Sequence, residues 1–125
     1  MYKRQTQEIV DEVLHTLYFN NPDGLSGNED CGQMSAWYIL NAMGFYQVCP
    51  GKPVYSIGRP LFNEATVHLK DGKSFKVIAH NNSRDNKYVR SIVLNGNKLE
   101  TPFFTHQDIV DGGTLELTMG SEPLK

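Results

Sequence analysis

A nearly uniformly apolar helix with glycine at each end constrains the fold of this chain more than any other segment. Apolar residues between Gly32 and Gly44 fall on almost every side of a helix predicted over residues 32–43. Asp30 could cap its N-terminus, and Gly44 is well placed as its C′ residue. We therefore expect this helix to be buried on most of its sides.

Another helix is predicted before it, and a pattern of short strands is predicted after it. Val10, Val13, Leu14 and Leu17 recur at helical spacing, which predicts an amphipathic helix over about residues 5–19. Residues 20–24 end that helix and contain a turn at Pro22 to Gly24. After Tyr46 short alternating segments predict strands over residues 54–57, 65–69, 74–79, 89–94 and 114–119, with a capped helical turn at 105–108.

This order predicts an α+β fold of two N-terminal helices followed by an antiparallel β-sheet or a small sandwich. We place a boundary at residue 49, which gives a helical unit over residues 1–49 and a β unit over 50–125. The wide apolar faces of both helices need more partners than a small sandwich supplies. The helical part therefore resembles the tail of a larger assembly, and exposed helix faces would favour self-association of the chain alone.

Composition excludes several classes of protein. Of 125 residues, 39% are hydrophobic and 21% charged, which is typical of a globular domain. The net charge of −2 and the scattered basic residues do not resemble a nucleic-acid binder. No apolar run is long enough to span a membrane, and no signal peptide opens the chain. The four histidines lack metal-site spacing, and Cys31 and Cys49 are either free thiols or one bridge.

Residues 27–33 carry the strongest chemical signal. Glu29 and Asp30 are adjacent acids in a glycine-bounded loop before a helix, and each could act as general base, metal ligand or acceptor for sugar hydroxyls. The alternatives are a helix N-cap for Asp30 and a solvated surface acid for Glu29. Asn28 and Gln33 flank them with amides, which suit sugar hydroxyls because they both donate and accept.

Two other sets of residues favour structural roles. Trp37 and Tyr38 could offer a stacking platform for a sugar, but consecutive helix residues diverge, so packing is the preferred interpretation. His106 and Asp108 could form an acid/base pair. No nucleophile stands near them in sequence, so we interpret them as structural.

Several long motifs, spread over nearly the whole chain, are typical of one enzyme family. They are residues 21–33 (NPDGLSGNEDCGQ), 34–38 (MSAWY), 44–51 (GFYQVCPG), 55–62 (YSIGRPLF), 94–96 (LNG), 106–109 (HQDI) and 112–115 (GGTL). On these motifs the chain resembles the C-terminal part of glycoside hydrolase family 92, the calcium-dependent α-mannosidases of gut bacteria and other organisms.

The resemblance implies an inverting, exo-acting α-mannosidase, often specific for α-1,2 linkages, that removes mannose from glycans. Its active site would lie between an N-terminal β-sandwich and an (α/α)6 barrel, of which the two helices here would be a remnant. The general acid would belong to an earlier segment. The chain would then be an inactive fragment of an exported enzyme (to periplasm, cell surface or medium) whose Ca²⁺ this fragment does not bind.

The resemblance also implies roles for the residues of the acidic loop. Asp30 matches the acid that acts as general base in the family. Glu29 would have a supporting or calcium-proximal role, while Asn28 and Gln33 would support the site or bind substrate. Relatives often carry an acid where this chain has Asn28, so a two-carboxylate base is not expected here. The alternatives are a non-catalytic carbohydrate-binding module and an interaction module whose helices recruit another chain.

Overall fold

The computed structural model describes residues 4–124 as two helices packed on a two-sheet β unit. The elements are α1 (Arg4–Thr16), α2 (Gln33–Met43), β1 (Phe45–Tyr46), β2 (Val54–Ile57), β3 (Glu64–His68), β4 (Ser74–His80), β5 (Tyr88–Leu94), β6 (Asn97–Lys98), β7 (Phe103–Thr105), α3 (His106–Asp111) and β8 (Gly113–Gly120). A single 3-10 turn, Lys70–Gly72, joins β3 to β4. The predicted α+β order is confirmed.

The strands form a three-stranded sheet in the order β1-β2-β7 and a five-stranded sheet in the order β3-β4-β8-β5-β6. All pairs are antiparallel except β4 with β8, which run parallel. The larger sheet is therefore mixed. After β6 the chain passes through β7, which belongs to the other sheet, and through α3. It then re-enters the larger sheet as β8, which lies parallel to β4. β1, which lies before residue 49, pairs with β2, which lies after it.

The hydrophobic core lies between the two sheets. Phe75, Val77 and Ala79 of β4 face it, as the alternation predicts, and so do Leu115, Leu117 and Met119 of β8. Phe45 and Phe104 of the smaller sheet close the other side, and their rings meet edge to face at 5.3 Å. α3 begins with a capping box in which Thr105 and Asp108 bond to each other's backbone N–H, so the capped turn is confirmed.

α1 meets the β unit through a polar face, which differs from the predicted apolar one. Its buried residues are Gln7, Asp11 and Leu14, whereas Leu17 is exposed. The Gln7 Oε1 atom accepts a hydrogen bond from the Val89 N–H at 2.6 Å, beside an irregularity in the β5–β8 pairing. The position of such polar partners, and not apolar spacing, decides which face of the helix is covered.

The C-terminus of α2 is fixed to the loop between β2 and β3. Gly44 is its left-handed C-cap, as predicted, and accepts a hydrogen bond from the Gly58 N–H at 2.9 Å. The Leu61 N–H donates to the Ala42 carbonyl at 2.9 Å. A Cβ atom at Gly44 would come within 3.1 Å of Pro60 and 3.3 Å of Leu117, so the helix ends directly against the sheet.

The prediction that α2 is buried on most sides is wrong for this chain. Its fully buried residues are Asn41 and Ala42, and Ile39 is 50% exposed. Loop 58–62 and β1 cover the helix near its C-terminus, and the ring of Tyr18 packs on Trp37 and Tyr38 nearer its start. No helix within residues 4–124 has the length and apolar character to cross a membrane.

Candidate active site

The loop that leads to the acidic residues folds back on itself directly after α1. The Phe19 N–H donates to the Gly24 carbonyl at 2.9 Å, and Gly24 N–H donates to the Asn21 carbonyl at 3.0 Å. A Cβ atom at Gly24 would lie 1.8 Å from the Phe19 oxygen, so only glycine fits there. The turn predicted at Pro22 to Gly24 is confirmed, and it returns the chain beside Tyr18 at Leu25.

Three consecutive residues before α2 have left-handed backbone conformations. The φ angles are 53° at Asp30, 59° at Cys31 and 91° at Gly32. This region costs about 1–2 kcal/mol for each residue that carries a Cβ atom, although Asp and Asn visit it more readily than most. Asp30 and Cys31 therefore need local contacts that hold them in this conformation.

Glu29, and not Asp30, caps the first turn of α2. One carboxylate oxygen of Glu29 accepts from the Ser35 N–H at 2.9 Å, and the other accepts from the Ser35 hydroxyl at 2.9 Å. The N-cap residue is Gly32, which has no side chain to offer. The prediction of Asp30 as the cap is therefore wrong, because the left-handed turn makes Glu29 the carboxylate that reaches the free N–H groups. Hydrogen bonds to a charged group contribute roughly 1.5–3 kcal/mol when buried and less at this exposed position, which is the same order as the backbone strain.

The Asp30 side chain is exposed and makes no hydrogen bond or ion pair with any other residue between 4 and 124. Asn28 and Gln33 are exposed on the same loop and helix start. Gln33 lines a cleft of about 280 Å³ together with Ser26 and Trp37. The geometry therefore separates two adjacent acids into one that is committed to the fold and one that is available to solvent or a ligand.

An aromatic cluster of Tyr18, Trp37 and Tyr38 packs between the end of α1 and the first half of α2. The Tyr18 ring stacks on Trp37 with centroids 5.7 Å apart and contacts Tyr38 at 4.8 Å, and its hydroxyl donates to the Met34 carbonyl at 3.2 Å. Burial, together with the nearby Glu29 carboxylate, raises the pKa of Tyr18. Packing is thus the role that the structure shows for Trp37 and Tyr38.

A larger cleft of about 540 Å³ lies between the folded loop and the first turns of α2. Its lining includes the Asn20 and Asn21 amides, the rings of Phe19 and Tyr38, and Ser35, the partner of Glu29. The lining does not include Asp30. The cleft is therefore adjacent to the acidic loop without containing the free acid.

The residues described do not by themselves fit a calcium site. Within 4–124 no three His, Cys, Asp or Glu side chains lie close enough together to hold a metal ion. Ca²⁺ takes six to eight oxygen ligands. Glu29 and Asp30 are the only acids of the loop, and Glu29 already accepts two hydrogen bonds from Ser35. The two cysteines, Cys31 and Cys49, are exposed free thiols.

His106 and Asp108 do not form an acid/base pair. Asp108 is part of the cap of α3, and His106 Nδ1 lies 3.0 Å from the Tyr55 hydroxyl. The structural interpretation is confirmed.

Ser35 and Tyr18 belong to the site although their sequence context did not single them out. Once α2 is known to start at Gln33, Ser35 is the third residue of the helix, where a free N–H needs an acceptor. That signal depends on a helix boundary one residue later than predicted. Tyr18 had no signal, since it lies 16 residues from Met34, its hydrogen-bond partner.

Comparison with known proteins identifies the family. The model of the glycosyl hydrolase family 92 catalytic domain matches residues 2–121. An uncharacterized secreted glycosidase from the fungus Arthroderma benhamiae is 33% identical over 102 residues, which are 79% of this chain and 13% of that protein.

Solved structures agree in sequence and in shape. A family GH92 α-mannosidase from Bacteroides thetaiotaomicron, solved alone and with mannoimidazole, is 42% identical over 94% of this chain, with TM-scores of 0.87 and 0.88. A family GH92 inverting mannosidase from Bacteroides thetaiotaomicron VPI-5482 is 46% identical over 95% of this chain, with a TM-score of 0.87. The chain spans 16% of the length of each of these structures. The match of the family model over residues 2–121 shows that the chain belongs to glycosyl hydrolase family 92.

Proposed function

We propose that this chain is the C-terminal portion of an inverting, exo-acting α-mannosidase that cleaves α-1,2-linked mannose from glycans, with Asp30 as its general base. The similar Bacteroides proteins support the mannose substrate and the inverting course, since one was solved with mannoimidazole and another is an inverting mannosidase. The observation that carries the proposal is the division of labour between the two acids: Glu29 is bonded to Ser35, while Asp30 is exposed.

A general base needs a carboxylate oxygen that a water molecule can reach. In an inverting reaction the Asp30 carboxylate takes a proton from water while the water oxygen attacks the anomeric carbon. The glycosidic oxygen departs from the opposite face with a proton from the general acid, and the two carboxyl groups stand roughly 6.5–9.5 Å apart to leave room for the water. In this proposal the general acid comes from outside the chain, and Asp30 works without a second carboxylate because position 28 is an amide.

Asn28 and Gln33 complete the polar surroundings of Asp30. Both amides are exposed and can donate to and accept from the hydroxyls of a sugar. We assign them to substrate binding or support. The calcium ion that the family resemblance implies would be held by residues outside this chain, since the described donors do not fit it.

The remaining part of the enzyme is the partner that the helix faces require. Phe19, in the loop after α1, and Ile39 of α2 are 59% and 50% exposed, which favours docking against the rest of a helical domain over a free-standing carbohydrate-binding module. The division after residue 49 stays a prediction, as does the inactivity of the chain alone. Export is supported by the secreted fungal relative, and a bacterial source by the Bacteroides relatives.

A chimera tests the proposal. The matching segment of the Bacteroides inverting mannosidase is replaced by this chain, and hydrolysis of α-1,2-, α-1,3- and α-1,6-mannobiose is followed, with the anomer of the released mannose identified by NMR. We expect β-mannose, fastest from the α-1,2 substrate. Asp30→Asn should lower kcat by about 10²–10⁴-fold, because Asn keeps the size and the left-handed backbone but cannot accept the proton.

Asp71→Asn is the matched control. Asp71 is an exposed aspartate with a φ of 65° in the β3–β4 turn, so the substitution makes the same chemical and conformational change away from the loop. Its kcat should equal that of the unsubstituted chimera. An Asp30→Asn chimera with near-normal turnover would reject the general base, and a folded but inactive parent chimera would reject the contribution of this chain.

A further inference from the structure

We propose that Glu29 is the positioning residue of this site: by occupying the free N–H and hydroxyl groups of Ser35, it keeps the Asp30 carboxylate free for chemistry. This inference rests on the proposed function of Asp30. It assigns to Glu29 a defined action through Ser35, distinct from binding a cation or moving a proton.

Glu29 is attached to the first turn of α2 at three points. Its two carboxylate oxygens accept from Ser35, and its backbone carbonyl accepts from the Met34 N–H at 3.2 Å. Two acceptor atoms on two donors of one residue fix both the position and the rotation of the side chain. The residue immediately before Asp30 is therefore held rigidly to the helix.

The residue after the turn is fixed as well. The Gln33 N–H donates to the Asp30 carbonyl at 3.3 Å, and the left-handed residues Asp30, Cys31 and Gly32 lie between these two attachments. The backbone of Asp30 thus has little freedom. Its side chain extends into solvent from a frame that Glu29 and α2 define.

The consequence follows from the chemistry of helix starts. The first N–H groups of a helix attract any carboxylate within reach, and Gly32 cannot satisfy them. Asp30 is the neighbouring carboxylate. If Glu29 were absent, Asp30 would be drawn to the same donors, and it would lose the orientation in which water can reach it.

The test compares four variants of the same chimera: Glu29→Ala, Glu29→Gln, Ser35→Ala, and Glu29→Ala with Ser35→Ala. Glu29→Ala should lower kcat by about tenfold to a hundredfold with little change in KM, because the base is misplaced while the substrate contacts remain. Glu29→Gln should restore most of kcat, since its amide can still accept from the Ser35 N–H and donate to the Ser35 oxygen. Adding Ser35→Ala to Glu29→Ala should cost nothing further.

The chain alone supplies an independent readout. In ¹⁵N-labelled chain, hydrogen exchange of the Ser35 N–H should stay slow in Glu29→Gln and in Glu29→Ala, because Asp30 replaces Glu29 as its acceptor in the latter. It should accelerate only in Glu29→Ala with Asp30→Ala, where neither carboxylate remains. Glu29→Gln as inactive as Glu29→Ala would overturn the proposal in favour of a role for the charge itself. Full kcat in Glu29→Ala beside an inactive Asp30→Asn chimera would overturn the positioning role alone. An active Asp30→Asn chimera would overturn the proposed function and the positioning role together.

Discussion

Arg59 and Asp11 form a buried ion pair, with Arg59 Nε 2.8 Å from Asp11 Oδ1, where α1 meets the β unit. The Arg59 side chain is 3% exposed and that of Asp11 is 10% exposed. Burial lowers the pKa of Arg59 and the Asp11 carboxylate opposes that change. Because Arg59 stands in the loop that also bonds the end of α2, this pair relates both helices to the sheets.

Removal of one partner should leave an uncompensated buried charge. We expect Asp11→Asn to lower the free energy of unfolding by about 3–5 kcal/mol, measured by urea denaturation, while Asp11→Leu with Arg59→Met recovers most of it. The control is Lys76→Met, which breaks the exposed Lys76–Glu64 pair at 3.0 Å and should cost less than about 1 kcal/mol. Equal losses at the two pairs would contradict the importance assigned to burial.

Gly24 should tolerate no side chain. Gly24→Ala places a methyl group against the Phe19 carbonyl and should destabilise the chain by roughly 1–3 kcal/mol, as judged by its urea midpoint. Gly58→Ala meets no atom within 4 Å and should be neutral or stabilising by about 0.4–1 kcal/mol. If Gly24→Ala is as stable as Gly58→Ala, the folded loop is not as tight as described.

The Tyr88–Glu8 contact should make stability depend on alkaline pH. The Tyr88 hydroxyl donates to Glu8 Oε1 at 2.7 Å, and this hydrogen bond raises the pKa of Tyr88 above the ordinary value of 10.0. A raised folded pKa means that the stabilisation is complete below about pH 10 and disappears as pH rises through the folded value. Tyr88→Phe should therefore be less stable than the unsubstituted chain at pH 8, with the difference shrinking above pH 10 in urea titrations. A difference that does not change with pH would contradict this account.

The chain alone should self-associate through its helix pair. Ile39 is half exposed on α2, where it lines the open cleft beside Phe19 and Leu25, and Ile39→Lys should shift the sedimentation profile toward monomer. Val48→Lys is the control, because Val48 is 72% exposed but lies beyond both helices. A monomeric unsubstituted chain, or an equal effect of both lysines, would count against the helix faces as the contact surface.

Local patterns predicted most of the elements but not their assembly. Alternation placed the inward residues of β4 and β8 correctly, and glycine marked the end of α2, because side-chain direction and backbone freedom are local properties. The parallel pairing of β4 with β8 and the division into two sheets depend on contacts distant in sequence. Such pairings leave no trace in a single strand.

In the acidic loop, residues 27–33, the sequence likewise did not correctly show which of two adjacent acids caps α2. The sequence favoured Asp30 as the cap of α2 and left Glu29 as a solvated surface acid, whereas the structure gives the capping contacts to Glu29 and exposes Asp30. Positive φ angles at Asp30 and Cys31 decide which carboxylate turns toward the helix. Neither residue type by itself predicts a left-handed backbone. The sequence also could not predict that α1 buries a polar face, because the burial of Asp11 depends on its ion pair with Arg59, 48 residues away.

Gly44 packs closely against Pro60 and Leu117, so the C-terminal end of α2 is held in a fixed position on the β layer. At 11 residues and about 1.5 Å per residue, it reaches roughly 16 Å to the turn that carries Asp30. A displacement of the sheet beneath Gly44 would be transmitted along the axis to that carboxylate. Under the proposed function, the demand for an accurately placed general base at one end of the helix would then limit which substitutions the β layer at the other end accepts.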